Sequence, residues 1–199
     1  MAESKSASFV TWGMKEIAKE RIVLDVGGGA RFGKWLREYE PLFADCDYRT
    51  FDFDTTTGAD VVGDIHAIPL PDSSIDAIIC SSVLEHVENP IRAMEEMYRI
   101  LRPGGKLFLF VPSTYPYHAH KGHYPDYWRI FDDTLQMLLS NFSDATTHKR
   151  GGYFLAISFF VPFQHKLRWV LTPVAEMLDT LFRTEKKNTT AGYFALAIK

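Results

Sequence analysis

The sequence predicts an α/β fold in which helices cover both faces of a mostly parallel sheet. Up to residue 112, short apolar segments of strand type alternate with turn-rich or helical segments, which is the pattern of a doubly wound sheet. The first strand runs directly into a glycine-rich turn. A length of 199 residues suits one domain, and a chain of this size buries about 70% of its unfolded surface. We therefore expect residues 1–199 to form a single domain.

The glycine-rich turn follows the first strand within residues 23–33. Four glycines in the seven residues 27–33 let the backbone turn sharply and let a ligand approach without meeting a Cβ atom. We expect a helix to begin after the turn and to direct its free N–H groups toward the ligand. The segment predicts a nucleotide-type site at the carboxyl end of the first strand.

The spacing of the glycines argues against a dinucleotide. The pattern G-x-G-x-x-G beginning at Gly27 requires a glycine at the position of Phe32, and Gly33 comes one residue too late. Asp25 stands two residues before the turn, where a carboxylate would repel a pyrophosphate and suit a cation. A nicotinamide-dependent oxidoreductase is therefore a less favoured alternative.

The second strand, residues 48–52, ends at Asp52. An acid about 20 residues after the glycine turn is placed to accept hydrogen bonds from a ribose diol. Asp54 is the rival for this role, and the alternative for both is that they only begin a loop. A third short strand and its turn occupy residues 59–65.

Residues 75–80 form a fourth, fully buried strand because they are apolar and β-branched. A helix is predicted over residues 90–101, with Pro90 in its first turn. The glycines of residues 101–106 are expected to cap this helix before a fifth strand at 107–111. Right-handed crossovers gather the carboxyl ends of all these strands at one edge of the sheet.

Five segments resemble one family in the correct order. Asp25-x-Gly27-x-Gly29 resembles motif I of the class I S-adenosylmethionine-dependent methyltransferases, and the later segments are residues 64–65, 69–74, 83–87 and 101–106. The resemblance is to the methyltransferase domain often labelled type 11, over residues 23–111. It implies a Rossmann-like, three-layer α/β/α fold whose seven-stranded, mostly parallel sheet has an antiparallel edge hairpin.

The resemblance also implies S-adenosyl-L-methionine as cofactor. The glycine turn would hold its methionine end, Asp52 its ribose, and Asp64 with Ile65 its adenine, although Asp64 is alternatively a helix or turn cap. The candidate cofactor-binding residues are Asp25, Gly27, Gly28, Gly29, Asp52, Phe53, Asp64, Ile65 and Ser81.

The acceptor is expected to meet residues 112–131, which are dense in His, Tyr and Trp and leave the same sheet edge. Residues 123–131 resemble a segment of bacterial methyltransferases associated with cell-surface sugars and related small molecules. A sugar or a cell-surface or secondary-metabolite precursor is therefore the expected acceptor. The candidate substrate-binding residues are His118, His120, Tyr124, Tyr127, Trp128 and Arg129.

His86 and His123 are the candidate catalytic residues, since a histidine can accept a proton from an acceptor at neutral pH. His86 could equally hold Glu85 or a backbone carbonyl in place. The loop histidines 118, 120 and 123 have three interpretations: surface groups, acceptor recognition with one general base, or a metal site. No metal is expected, because acidic or Cys ligands at metal-site spacing are lacking.

Residues 155–188 are interpreted as an apolar insertion between the last two strands, of which residues 191–198 form the final one. Residues 153–163 are too short for a membrane span. The insertion is expected to be a lid on the acceptor pocket or a homodimer contact, with peripheral membrane docking as the alternative.

Charge and cysteine content exclude several classes of function. A net charge of −3 disfavours nucleic acid as a partner, and the basic pair Lys149-Arg150 is interpreted as solvated surface. The chain has no C-x-x-C motif, and residues 1–8 lack an apolar signal core, so a cytoplasmic location is expected. The sequence thus predicts a methyltransferase acting on a small molecule; the alternative from another class is a cofactor-binding module that docks a partner without turnover.

Overall fold

The computed structural model describes residues 5–199. The prediction that residues 1–8 lack an apolar signal core therefore lies partly outside the described residues, at residues 1–4. The strands are β1 (Ile22–Val26), β2 (Asp47–Asp52), β3 (Val61–Val62), β4 (Ile75–Ser81), β5 (Leu101–Pro112), β6 (Asp144–Lys149) and β7 (Gly192–Ile198). The α-helices are α1 (Lys5–Ile17), α2 (Pro90–Ile100), α3 (Asp132–Leu139), α4 (Tyr153–Ser158) and α5 (Gln164–Phe182).

All seven of these strands form one sheet in the order β3-β2-β1-β4-β5-β7-β6. The pairs from β3 to β5 are parallel, and β7 runs antiparallel to both β5 and β6. The predicted fold class, a mostly parallel seven-stranded sheet with an antiparallel edge, is confirmed. The order of the strands reverses at the β1–β4 pair, and ligands of such sheets bind outside the carboxyl ends of the strands at this point.

Two clusters of buried side chains cover the two faces of the sheet. Val23 and Ile79 lie in the cluster that contains Met14 of α1, whereas Leu24 and Ile78 belong to the cluster built on α2 and α3. Neighbouring residues of β1 and β4 are thus buried on opposite faces, because side chains alternate along a strand. This double burial explains why both strands are almost entirely apolar.

The glycine turn leads into a different element from the one predicted. A 3-10 helix, Lys34–Phe43, follows the turn in place of an α-helix, and its N-cap Gly33 makes no side-chain capping bond. The cause lies in the sequence: glycines disfavour a helical start before residue 34, and Pro41 lies inside the helix without an N–H to donate. The α-helix N-terminus expected beside the ligand site is therefore absent from residues 27–43.

The glycines after α2 also act differently from the prediction. α2 ends at Ile100, where the Leu101 N–H bonds to the Met97 carbonyl, and β5 begins at once. Gly104 has a φ of +73°, and the pairing register between β4 and β5 shifts in this region. These glycines shape an irregularity in β5 and do not cap the helix.

α4 and α5 lie between β6 and β7, and α5 continues through Pro173. Many apolar side chains of α5 are exposed, and Trp169 keeps 76% of its surface accessible. Among the described helices, none has both the length and the apolar composition needed to cross a membrane.

Candidate functional site

A cavity of about 1110 Å³ opens at the carboxyl ends of β1, β2, β4 and β5. It lies at the point where the strand order reverses, which is where sheets of this topology bind ligands. Predicted site residues from five separate regions of the sequence meet on its wall. These residues are Gly27, Gly28, Gly29, Asp52, Phe53, Asp64, Ile65, His86, His118, His123, Tyr124 and Tyr127.

Other predicted site residues do not line the cavity. Asp25 is buried behind the glycine turn, and Ser82 takes the place on the wall that was expected for Ser81. His120, Trp128 and Arg129 lie in the loop behind the wall. Trp128 and Arg129 form hydrogen bonds that shape the loop, and the His120 ring stacks on the ring of His123.

The glycine turn must be free of Cβ atoms because its neighbours are close. Gly27 has a φ of +72°, and a Cβ built on it would lie 2.4 Å from Val83 Cγ2. A Cβ on Gly28 would lie 2.1 Å from Asp25 Oδ2. The turn therefore presents backbone atoms to the cavity, while larger side chains pack behind it.

Asp25 is almost fully buried, at 2% exposure. The Tyr48 hydroxyl donates a 2.8 Å hydrogen bond to its Oδ2 atom. Burial raises the pKa of Asp25 to about 7, although the bond from Tyr48 opposes this rise. Asp25 thus supports the turn from behind and places a titratable group beneath the proposed ligand.

The acids after β2 differ in what their oxygens bind. Asp52 Oδ1 accepts the Asp54 N–H at 3.0 Å, and no described residue bonds to its Oδ2. Asp54 Oδ1 instead accepts the Thr56 N–H at 2.8 Å and the Thr56 hydroxyl at 2.7 Å. Both acids line the cavity and keep Oδ2 unbonded among the described residues. Asp52 is the better placed of the two, because its Oδ2 lies beside the glycine turn, 3.7 Å from where a Cβ on Gly29 would stand.

Asp64 caps the short 3-10 helix Ile65–Ala67 while it also lines the cavity. Its Oδ1 accepts the His66 N–H at 2.9 Å and lies 2.7 Å from His66 Nδ1. The hydrogen bond from the His66 N–H lowers the pKa of Asp64. The alternative role as a cap is therefore present, and it leaves Oδ2 for a ligand.

Arg129 holds the histidine loop, residues 113–128, in shape. Its Nε donates to the Tyr115 carbonyl at 2.9 Å, and its Nη2 donates to the Pro116 carbonyl at 2.7 Å. Both Asp126 oxygens accept from Arg129 at 2.6 Å, and this pairing holds the pKa of Asp126 down at about 2. Arg129 therefore positions the loop and does not line the acceptor pocket.

Trp128 attaches the same loop to the end of β4. Its Nε1–H donates to the Val87 carbonyl at 2.9 Å, and the neighbouring Tyr127 N–H donates to the Glu85 carbonyl at 2.7 Å. Farther along the loop, the rings of His120 and His123 stack with their centroids 4.4 Å apart. Of these two, His123 lines the cavity.

Glu85 has the most unusual surroundings in the site. Its side chain is fully buried, yet neither carboxylate oxygen has a hydrogen-bond partner among residues 5–199. His118 Nε2 lies 3.7 Å from Glu85 Oε1, and His86 Nε2 lies 3.8 Å from it. His86 Nδ1 donates to the Pro125 carbonyl at 2.6 Å, so this histidine does hold a backbone carbonyl.

Known proteins with related sequences were compared with the chain. Residues 24–109 match the family model described as "Methyltransferase domain". The chain is 33% identical over 85 residues to a demethylmenaquinone methyltransferase of Beutenbergia cavernae, covering 43% of this chain and 35% of that protein. It is 29% identical over 123 residues to a ubiquinone/menaquinone biosynthesis C-methyltransferase of Vibrio vulnificus, covering 51% and 47%. The chain thus matches less than half the length of either relative.

A solved S-adenosylmethionine-dependent methyltransferase from Archaeoglobus fulgidus has the same fold, with a TM-score of 0.64. The two chains are 16% identical, and the match covers 96% of this chain and 92% of the other. Residues 24–109 therefore resemble a methyltransferase domain, and the whole chain has the fold of this solved enzyme.

Two residues of the cavity wall were not among the site residues that the sequence predicts. Arg150, at the end of β6, lines the cavity and lies over the rings of Phe110 and Phe159, with distances of 5.3 and 5.2 Å to their centroids. Burial lowers the pKa of Arg150, so its interpretation as solvated surface is wrong. The sequence indicates Glu85 only as a possible partner of His86, because the isolation of its carboxylate depends on His118, which comes 33 positions later.

Proposed function

We propose that this domain transfers a methyl group from S-adenosylmethionine to a small acceptor molecule. In this reaction the bond from sulfur to the methyl carbon breaks, and its electron pair stays on sulfur. A lone pair or carbanion of the acceptor forms the new bond, and the acceptor loses a proton. The main support is the cavity, which joins the glycine turn at one end to the histidine loop at the other.

The cofactor is proposed to lie along the carboxyl ends of β1 and β2. Gly27 and its neighbours would contact the methionine end, where the absence of Cβ atoms permits close approach. Asp52 would accept hydrogen bonds from the ribose, and Asp64 Oδ2 would accept one from the adenine amine. Ligand cavities usually measure about 300–1,000 Å³, so about 1110 Å³ leaves room for an acceptor beside the cofactor.

The acceptor end of the cavity combines aromatic walls with one cation. Phe110, Tyr115 and Tyr127 supply flat apolar surface, while the partly buried Arg150 supplies positive charge. This lining suits a small ring-bearing acceptor, such as a sugar or an aromatic compound, that carries a polar or anionic group. The names of the two quinone-pathway relatives agree with a ring-bearing acceptor.

The segment 155–188 is proposed to close the acceptor end as a lid. Phe159, directly after α4, has its ring centroid 4.9 Å from that of Tyr115, which lines the cavity. Arg150 lies over the same Phe159 ring. A movement of α4 would therefore change the wall seen by the acceptor.

Calorimetric titration with S-adenosylmethionine and S-adenosylhomocysteine tests the cofactor, with NADH as the control. We expect both sulfur compounds to bind in the micromolar range and NADH to give no heat of binding. A screen of small acceptors with a coupled assay for S-adenosylhomocysteine then tests turnover. Tight binding of NADH alone would contradict the proposal and favour an oxidoreductase, whereas cofactor binding with no acceptor turned over would favour a partner-docking module.

A further inference from the structure

Glu85, His86 and His118 bring three ligand atoms to one point of the cavity wall. One carboxylate oxygen and one nitrogen from each ring lie within 4.8 Å of one another. Two of the residues follow β4 directly, and the third comes from the histidine loop, so the folded loop completes the cluster. The cluster is distinct from the residues proposed to hold the cofactor.

The outer nitrogen of each ring is committed to the protein. His86 Nδ1 lies 2.6 Å from the Pro125 carbonyl, which can only accept, so this nitrogen carries the hydrogen. His118 Nδ1 lies 3.1 Å from the Pro116 carbonyl and 3.3 Å from an Asp126 oxygen, which are also acceptors, whereas the donor Arg129 Nη2 is farther away at 3.4 Å. In the neutral rings, both Nε2 atoms therefore direct lone pairs toward Glu85.

While His118 is neutral, three acceptors therefore face one another without a donor between them. Glu85 raises the pKa of His118, so a proton on this ring competes with a cation for the same place. Glu85 is fully buried, and its oxygens receive no hydrogen bond from any residue of the described chain. Distances of 3.7 and 3.8 Å from Oε1 to the two nitrogens are longer than hydrogen bonds. A buried carboxylate without a partner is costly, and a bound cation would remove that cost.

We propose that Glu85, His86 and His118 bind a divalent transition-metal cation. Two histidines and one glutamate are a ligand set found in catalytic zinc and non-haem iron sites, where other coordination positions stay open. Ligand atoms bound at about 2.0–2.2 Å in tetrahedral geometry lie about 3.4 Å apart, close to the present spacing. The Pro116 and Pro125 carbonyls fix the ring tautomers, as is usual behind metal-bound histidines.

An open coordination position would face the cavity that the same three residues line. Insofar as the proposed function holds, the cation would bind an oxygen or sulfur of the acceptor and favour its deprotonated form. This proposal differs from the sequence expectation that no metal binds. That expectation rested on the loop histidines alone and overlooked Glu85, which lies 33 positions before His118.

Titration of the chelator-treated full chain with Zn²⁺ by calorimetry, and with Co²⁺ by visible absorption, tests the site without any need for turnover. We expect one equivalent to bind, with a cobalt ligand-field band that reports histidine ligation. Glu85→Gln and His118→Ala should each weaken binding by at least about tenfold, since even partners behind metal ligands are worth 10–100-fold. His165→Ala is the matched control, because His165 lies on α5 away from the cavity wall.

Binding of S-adenosylhomocysteine serves as the check that each variant is folded. Cofactor binding without any bound Zn²⁺ or Co²⁺ would overturn the metal site and leave the proposed function standing. Metal binding without cofactor binding would overturn the proposed function and leave the metal site standing. Equal metal affinity in the wild type and in folded Glu85→Gln and His118→Ala would also overturn the proposal, because the ion would then be held elsewhere.

Discussion

The two ends of the cavity are built by different means. The cofactor end is formed by the glycine turn after β1 and by Asp52 at the end of β2, and the pairing of these two strands sets their positions. The acceptor end is a loop that holds its shape through side-chain bonds from Arg129 and Trp128 to backbone carbonyls. The comparison indicates that the acceptor end can change without disturbing the sheet, whereas the cofactor end cannot.

The largest expected effect comes from Arg129→Ala, which tests whether the loop is stabilised separately. The Asp126 side chain is buried and would lose its charged partner, keeping only the His118 N–H as a donor, so we expect the free energy of unfolding to fall by about 3–5 kcal/mol. Urea denaturation measures this loss. At low urea the affinity for S-adenosylhomocysteine should change little, because Arg129 does not touch the cofactor end.

The matched control for Arg129 is Arg102→Ala. Arg102 also pairs with carboxylates, but its side chain is 40% exposed, so its removal should cost only about 0.2–1 kcal/mol. If Arg129→Ala instead abolished cofactor affinity in a folded protein, the two ends would be coupled and the comparison would be wrong.

The same division explains how much the sequence could predict. The strands of the cofactor end were found because apolar runs and glycine spacing are local signals. The sequence does not locate β6, since its residues 144–147 are exposed and mostly polar and give no strand alternation. The burial of Asp25 under Tyr48, and the meeting of Glu85 with His118, depend on partners 23 and 33 positions away, which no local pattern records.

A second prediction tests the close packing behind the glycine turn. Gly27→Ala combines a positive φ with a Cβ only 2.4 Å from Val83 Cγ2, and we expect a loss of about 3 kcal/mol in unfolding free energy. Gly29→Ala is the matched control, because its φ is +57° but its nearest neighbour would be 3.7 Å away. It should lose only about 1–2 kcal/mol, and equal losses in the two variants would show that packing at Gly27 is unimportant.

A third prediction concerns the pH dependence of the cofactor end. The pKa of Asp25 is raised by burial from about 3.9 in the unfolded chain to about 7 in the fold. The folded state therefore binds the Asp25 proton more tightly than the unfolded chain does. The stability that protonated Asp25 contributes is complete below about pH 4 and is lost as the pH rises through about 7. Asp25→Asn stays neutral and accepts the Tyr48 hydrogen bond.

We expect Asp25→Asn to gain stability relative to the wild type by about 4 kcal/mol between pH 4 and pH 8. Urea denaturation of both proteins across this range measures the difference. A difference that does not vary with pH would show that Asp25 titrates normally. The acceptor end behaves oppositely, since Asp126, with its pKa near 2, contributes stability above about pH 4 that is lost only in strong acid.

A fourth prediction separates the rival acids after β2. Asp52→Ala should weaken S-adenosylhomocysteine binding by about 2 kcal/mol through the loss of charge-assisted hydrogen bonds. Asp54→Ala should change it by less than about 0.5 kcal/mol, because Asp54 bonds to Thr56. Calorimetry measures the affinity of both variants for S-adenosylhomocysteine. A larger loss of affinity in Asp54→Ala than in Asp52→Ala would assign the ribose to Asp54.

The smallest effect is expected outside both ends of the cavity, on α5. Trp169 is 76% exposed, so Trp169→Ser should change the free energy of unfolding of the monomer by less than about 0.5 kcal/mol. Sedimentation velocity on both proteins then shows whether this face joins two copies of the chain, as the sequence suggested for residues 155–188. A wild-type dimer that dissociates in the variant would place α5 in an interface between two copies of the chain. If the protein is instead a monomer and Trp169→Ser loses more stability than this, Trp169 packs against the domain. The acceptor end would then extend farther than the cavity wall.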